Sequence, residues 1–175
     1  MFLDKTETFV LNLDGLHKRS VRKRLTKLCR QIQFCDPFQF NIMKDNQQYA
    51  LEINIPKRQL PYVVSFLSFH NYAIYQIVTA SEGVELLDSN HIMHSSKRFE
   101  LNVDGMHDAF VKDKIIDIMT MLDNTEHITY TFTKHRIDVC CTPEVFSKLI
   151  YQLATHHVDV LSATYCPRVA VKRIS

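Results

Sequence analysis

The sequence predicts an α+β fold in which one element order, β-α-β-β-α-β, occurs twice along the chain. Residues 9–17 read FVLNLDGLH and residues 99–107 read FELNVDGMH, with six identities in nine positions at an offset of 90. The agreement extends into the next element, where Leu25 corresponds to Ile115. In both copies the apolar residues change from the two-residue period of a strand to helical spacing. We interpret the chain as an internal duplication.

The second copy shows the predicted elements most clearly. Phe99, Leu101 and Val103 alternate with polar residues, as the residues of a half-buried strand do, and Gly105 ends that strand. Apolar residues at spacings of four, three and four then predict a helix over 108–122. The remaining elements are predicted as strands at 128–133 and 137–141, a helix that begins at Pro143 after the capping residue Thr142, and a strand at 158–161.

The first copy repeats the same order. Its elements are predicted at 8–13 (strand), 18–32 (helix), 38–44 and 48–55 (strands), about 58–69 (helix) and 72–78 (strand). Pro56 and Pro143 lie 87 residues apart, so pairing them predicts a hairpin three residues longer in the first copy, around residues 45–47.

The order β-α-β-β-α-β is that of ferredoxin-like domains. We therefore predict a ferredoxin-like domain at 1–79, a linker at 80–97, a second ferredoxin-like domain at 98–165 and a C-terminal tail at 166–175. The total of 175 residues suits two small domains of this kind.

Composition and charge are those of an ordinary globular protein, with 46% apolar and 23% charged residues. No run approaches the ~20 apolar residues of a membrane span, and the N-terminal residues carry acids where a signal peptide is basic and then apolar. We therefore expect a cytoplasmic protein. The five cysteines lack the spacing of a disulfide framework, which indicates reduced thiols.

Both copies resemble the heavy-metal-associated (HMA) domains of copper chaperones and metal-transporting ATPases. The segments LNLDGLH and LNVDGMH reproduce the first strand of that family, its glycine and the apolar residue that follows. The later segment TPEVFSKLIYQLATHHVDV is similar to the family's second helix and final strand. The resemblance implies two HMA-like domains of ferredoxin-like fold.

The Cys-x-x-Cys pair of the HMA family is missing from both copies. Its two positions are occupied by Lys18 and Val21 in the first copy and by Asp108 and Val111 in the second. A thiolate pair is what allows such a site to bind Cu(I) or zinc, and valine has no donor atom. We expect no metal bound by the family's mechanism, and no cofactor.

The two copies differ most in the charge of the first helix. Residues 18–30 contain seven basic residues and no acid, whereas the corresponding part of the second copy is close to neutral. Such a one-sided cluster favours a binding surface for an acidic partner. The residues predicted to form this surface are Lys18, Arg19, Arg22, Lys23, Lys27 and Arg30. Those expected to stand furthest from the core are Arg19, Arg22, Lys23 and Arg30.

An acidic protein surface is the preferred partner of this helix. Nucleic-acid phosphates or an anionic membrane surface are alternatives that the same charges would serve.

Histidines offer a second alternative, a metal site without a cysteine pair. His17 and His107 occupy the same position in the two copies, and His91 and His94 lie in the predicted linker. Imidazole suits zinc, copper or nickel, but these four residues are weak candidates because no pattern holds them together.

No catalytic motif is recognisable in the sequence. A glycine-rich phosphate loop, a nucleophile elbow and a His-Glu zinc motif are all missing, and the chain has three glycines in total. We therefore expect a non-enzymatic interaction or adaptor protein.

Overall fold

The structure, a computed structural model, describes residues 5–34, 38–82, 86 and 95–166. Its strands are β1 Thr6–Leu13, β2 Gln39–Asp45, β3 Gln48–Pro56, β4 Ile74–Thr79, β5 Lys97–Val103, β6 Thr129–Phe132, β7 Ile137–Cys141 and β8 Val160–Cys166. Its helices are α1 Arg19–Cys29, α2 Leu60–Phe69, α3 Ala109–Asp123 and α4 Pro143–Thr155. The predicted α+β class is confirmed.

All eight strands belong to one antiparallel sheet with the order β2-β3-β1-β4-β8-β5-β7-β6. The first half of the chain contributes β1 to β4, and the second half contributes β5 to β8. The halves meet in the middle of the sheet, where Ile77 of β4 lies opposite Ala163 of β8. The described residues thus form a single sheet, and the division into two domains stays a prediction.

The helices cover one face of this sheet, towards which the apolar residues of β5 alternate as predicted, whereas β1 and β4 are buried along most of their length. Leu11 in β1 and Leu101 in β5 point towards the helices and are fully buried in one hydrophobic cluster that spans both halves. At its centre the rings of Phe99 and Phe146 stack at a centroid distance of 3.9 Å. Burying one such side chain contributes about 2 to 3 kcal/mol, so this cluster holds the helices against the sheet.

The two halves repeat the same local geometry after their first strands. Gly15 and Gly105 have φ values of 78° and 77°, a conformation that glycine adopts without strain. Next to them, the N–H of Asp14 donates to the carbonyl of Ala73, and the N–H of Asp104 donates to that of Asp159, both at 2.9 Å. Up to α3, corresponding residues therefore lie 90 positions apart.

After the first hairpin of each half, corresponding residues lie 86 positions apart instead of 90. Asn71 and His157 both have positive φ, and both follow the second helix of their half. Pro56 ends β3 whereas Pro143 begins α4, so the predicted pairing of these prolines is wrong. The hairpin at residues 45–47 is confirmed, but it is four residues longer than its counterpart, not three.

Two predicted boundaries differ from the structure by three residues or more, and the others by at most two. The helix predicted at 18–32 ends at Cys29, because the N–H of Ile32 bonds to the carbonyl of Cys29 in a tighter turn that still buries Ile32. The last strand, predicted at 158–161, runs from Val160 to Cys166, because it pairs with β5 along its whole length. Most of the predicted linker and the tail after Cys166 lie outside the described residues.

Candidate functional site

Helix α1 begins without the features that normally stabilise a helix start. Lys18 precedes it with extended backbone and makes no side-chain cap, and the first turn contains no acid. In α3, by contrast, the carboxylate of Asp108 accepts a hydrogen bond from the N–H of Phe110 at 2.8 Å. Positive charge at a helix N-terminus opposes the helix dipole. The charge of α1 therefore destabilises its own start, and burial of Leu25 and Cys29 holds the helix in place.

Four of the predicted binding residues form a continuous band that we call the basic stripe: Arg19, Lys23, Lys27 and Arg30. They recur every three or four residues and all are exposed, so they share the outer face of α1. The stripe is about 16 Å long at roughly 1.5 Å per residue. Among the residues that the structure describes, none of the four forms an ion pair with a carboxylate. These charges are available to a partner.

A hollow of about 400 Å³ lies along the basic stripe. It is lined by the four residues of the stripe together with Arg22 and Thr26. Its lining combines the charged ends of these side chains with their aliphatic stems, and no acidic residue is part of it. Lys18, the sixth predicted residue, is exposed at the start of the helix and does not line the hollow.

Arg22 has a different role from the basic stripe. Its guanidinium donates to the carbonyl oxygens of Leu16 and His17 at 2.8 and 2.9 Å and lies 4.0 Å from the ring centre of Tyr49. The expectation that Arg22 stands far from the core is therefore wrong, because its position on the helix turns it towards the β1–α1 loop and β3. Arg22 is half-buried and positions this loop against the sheet.

The second half carries opposite charges at the centre of the same surface. At the offset of 90, Lys23 and Lys27 correspond to Asp113 and Asp117, which are both exposed on α3. Arg22 corresponds to Lys112, whose ammonium lies 5.2 Å from the ring centre of Phe132. The cation that stacks on an aromatic ring thus recurs in both halves, whereas the outward charges are reversed.

An aromatic surface next to the basic stripe was not predicted. We call it the aromatic flank: Tyr62, Phe66 and Phe69 of α2. Tyr62 and Phe69 are 51% and 58% exposed, which is unusual for rings of this size. At the offset of 86 the same positions of α4 hold polar residues, namely Lys148, Gln152 and Thr155.

The aromatic flank reaches the end of the basic helix through a row of rings. Phe34, which follows α1, contacts Tyr62 at a centroid distance of 5.3 Å, and Tyr62 and Phe66 are 6.2 Å apart. The predicted pairing of Pro56 with Pro143 implies an offset of 87, which aligns Tyr62 with the core residue Leu149. This alignment concealed the aromatic flank. An offset of 86 aligns Val63 of α2 with Leu149 of α4, and both side chains are fully buried. Matching the core positions of the two helices would therefore have given the offset of 86.

His17 and His107, two of the four weak metal candidates, are not brought together. The strands β1 and β5 run in opposite directions in the sheet, so His17 and His107 follow them at opposite ends and are both exposed. His91 and His94 lie outside the described residues. Within the described ranges no group of three or more His, Cys, Asp and Glu side chains could hold a metal ion.

Of the four positions where the HMA family would have cysteines, two are exposed, Lys18 and Asp108, and two are valines. Val21 and Val111 are half-buried against the core, and each lies beside the glycine of its own loop. Four of the five cysteines lie in the described residues, where Cys29, Cys140, Cys141 and Cys166 are free thiols. Burial raises the pKa of Cys29 and of Cys141 to about 12, so neither is ionised near neutral pH.

No family model, curated protein or solved structure matches this chain. In the part of the chain that the structure describes, none of the helices has the length and apolar character needed to cross a bilayer.

Proposed function

We propose that this protein is a non-enzymatic interaction or adaptor module that binds an acidic protein through the basic stripe of α1. The observation that carries the proposal is the reversal of charge between the halves: the frame recurs, but Lys23 and Lys27 stand where the second half has Asp113 and Asp117. Unpaired like charges on one helix repel each other and weaken the helix start. A binding role accounts for a charge pattern that stability does not favour.

The proposed frame is an internal duplication of a ferredoxin-like, HMA-like unit without the thiolate pair. Three features support it: the strand order β4-β1-β3-β2 in one half and β8-β5-β7-β6 in the other, the paired glycine loops, and the positive φ of Asn71 and His157. In this interpretation the second cysteine position of each half became a packing valine, and partner binding moved to the outer face of α1.

An acidic protein suits this surface better than a nucleic acid does, because the aromatic flank adjoins the C-terminal end of the basic helix through Phe34. Neighbouring rings of the row already contact each other, at centroid distances of 5.3 and 6.2 Å on either side of Tyr62. Apolar side chains of a protein can cover the exposed edges of such a packed row, whereas stacking of a nucleobase requires an exposed ring face. The acidic groups of such a partner would lie in the hollow along the stripe.

The test compares two double variants with the same change in net charge. Lys23→Glu with Lys27→Glu alters the basic stripe, and Lys5→Glu with Lys134→Glu alters exposed lysines outside the helices. Immobilised wild-type protein and both variants are incubated with lysate from the source cells, and the bound proteins are quantified by mass spectrometry. We expect acidic proteins to bind to the wild type and the control and to be lost from the stripe variant.

Equal binding to both double variants would refute the proposal. So would bound material that nuclease treatment removes, which would identify nucleic acid as the partner. In that case affinity should fall with salt with a logarithmic slope of about −0.7 for each phosphate contacted, or roughly −3 for four cations. Binding to vesicles of anionic lipid but to no protein would identify a membrane surface instead.

A further inference from the structure

We infer that a second copy of this chain is one acidic partner of the basic stripe, and that the protein forms a two-fold dimer in which α1 of each copy lies against α3 of the other. This inference rests on the proposed function, since it names a partner for the same surface. It goes beyond that function because it assigns a binding role to α3.

The outer face of α3 is acidic because its lysines are engaged elsewhere. Lys112 stacks on Phe132, and the ammonium of Lys114 donates to the carbonyl of His156 at 3.1 Å. Asp113 and Asp117 are exposed, and within the described residues they form no ion pair. The sequence of α3 is close to neutral, but the charge that it presents outward is negative.

The spacing of these charges matches that of the basic stripe. Asp113 and Asp117 are four residues apart, as are Lys23 and Lys27, which places both pairs about 6 Å apart along their helix axes. Two helices that meet along these faces can therefore form two Lys–Asp ion pairs at once.

Apolar side chains next to the charges provide a contact that charge alone would not. Phe110 is 85% exposed and lies one turn before Asp113, and Met121 is 45% exposed and lies one turn after Asp117. In the partner, the aromatic flank adjoins the C-terminal end of α1 through Phe34. Exposed ion pairs contribute little to association, so the burial of these aromatic and aliphatic groups must supply most of the affinity. The charges then determine which faces meet.

The placement of the two helices favours a closed dimer. Helix α1 lies near β2 at one edge of the sheet, and Lys112 places α3 beside β6 at the other edge. The two helices lie on the same face but over opposite edges of the sheet, so they cannot reach each other within one chain. A two-fold axis between two facing helical layers brings α1 of each copy over α3 of the other and makes the contact twice.

Charge exchange between the two helices tests the inference on purified full-length protein. The first variant is Lys23→Asp with Lys27→Asp, and the second is Asp113→Lys with Asp117→Lys. Sedimentation equilibrium is measured for each alone and for an equimolar mixture, in low salt (about 0.05 M) and in about 0.5 M salt, where screening is much stronger. The control is Lys5→Asp with Lys134→Asp, and circular dichroism verifies that all variants are folded.

We expect wild type and control to form dimers in low salt, and each charge variant alone to dimerise at least about tenfold more weakly. The mixture should restore the dimer as a heterodimer, because each variant then meets opposite charges on both helices. The inference is overturned if wild type stays monomeric up to about 1 mM in low salt, or if the mixture associates no better than either variant alone. Neither result affects binding of a foreign acidic protein, which the lysate experiment measures separately.

Discussion

Replacing Arg22 with methionine is expected to destabilise the protein, whereas the same change at Arg19 is not. Arg22 donates two hydrogen bonds to the carbonyls of Leu16 and His17 and stacks on Tyr49. Arg19 is exposed and contributes only its charge to the basic stripe. The two residues are three positions apart on one helix, so their comparison separates the positioning role from the binding role.

The magnitude follows from the contacts of Arg22. Two hydrogen bonds from a charged donor would contribute up to about 3 kcal/mol each if buried, but here one is exposed and one half-buried, so together they contribute about 1 to 1.5 kcal/mol. The stacking on Tyr49 adds about 0.5 to 1 kcal/mol at a site of this exposure. The sum of about 2 kcal/mol corresponds to a fall in Tm of roughly 4–8 °C for a chain of this length.

Calorimetry and urea denaturation measure the effect, with Arg22→Lys as a second comparison. Lysine keeps a cation over the ring, as Lys112 does over Phe132, but cannot donate to both carbonyls, so an intermediate loss is expected. If Arg22→Met and Arg19→Met change the free energy of unfolding equally, or if Arg22→Met changes it by less than about 0.5 kcal/mol, the positioning role of Arg22 is refuted.

Three further predictions concern the loops and the thiols. Gly105→Ala should lower Tm more than Gly15→Ala. Both glycines have positive φ, but an added Cβ would lie 3.0 Å from the Val111 side chain at Gly105 and 3.5 Å from the Val21 side chain at Gly15. Equal losses would contradict the role of the Val111 contact. Under native conditions an alkylating reagent should modify the exposed Cys140 well before Cys29 and Cys141, as peptide mass spectrometry can show. Burial holds the pKa of these last two thiols at about 12 instead of 9.0, so unfolding releases protons above pH 9. Each thiol should then reduce stability by about 1.4 kcal/mol per pH unit between pH 9 and 12, and a Cys29→Ala variant should show a smaller slope.

Strand and helix positions could largely be predicted from the sequence because the signal is local. Alternation identified β5, and the Thr142-Pro143 pair located the start of α4, where the hydroxyl of Thr142 accepts a hydrogen bond from the N–H of Val145. The basic stripe could also be predicted, since outward charge on an amphipathic helix follows from its spacing. These features depend only on residues close to each other in the chain.

Other features depend on contacts that no local pattern specifies. The direction in which Arg22 points is determined by carbonyls and a ring on two other segments. The separation of His17 from His107 depends on the pairing of β4 with β8, which decides that β1 and β5 run in opposite directions. The aromatic flank was concealed by pairing Pro56 with Pro143, two prolines that serve different purposes in the fold.

The pairing of β4 with β8 also matters while the chain is being made. Within the described residues, a four-stranded half has two open strand edges, and the sheet of eight strands also has two, because β4 and β8 cover each other. β4 ends at Thr79 and β8 begins at Val160, so the ribosome must add about 80 residues, which takes roughly 4 to 16 s, before β4 can be covered. During that interval the first half presents an uncovered β4 edge to neighbouring nascent chains. The most exposed stage for aggregation of this protein is therefore its synthesis and not its finished form.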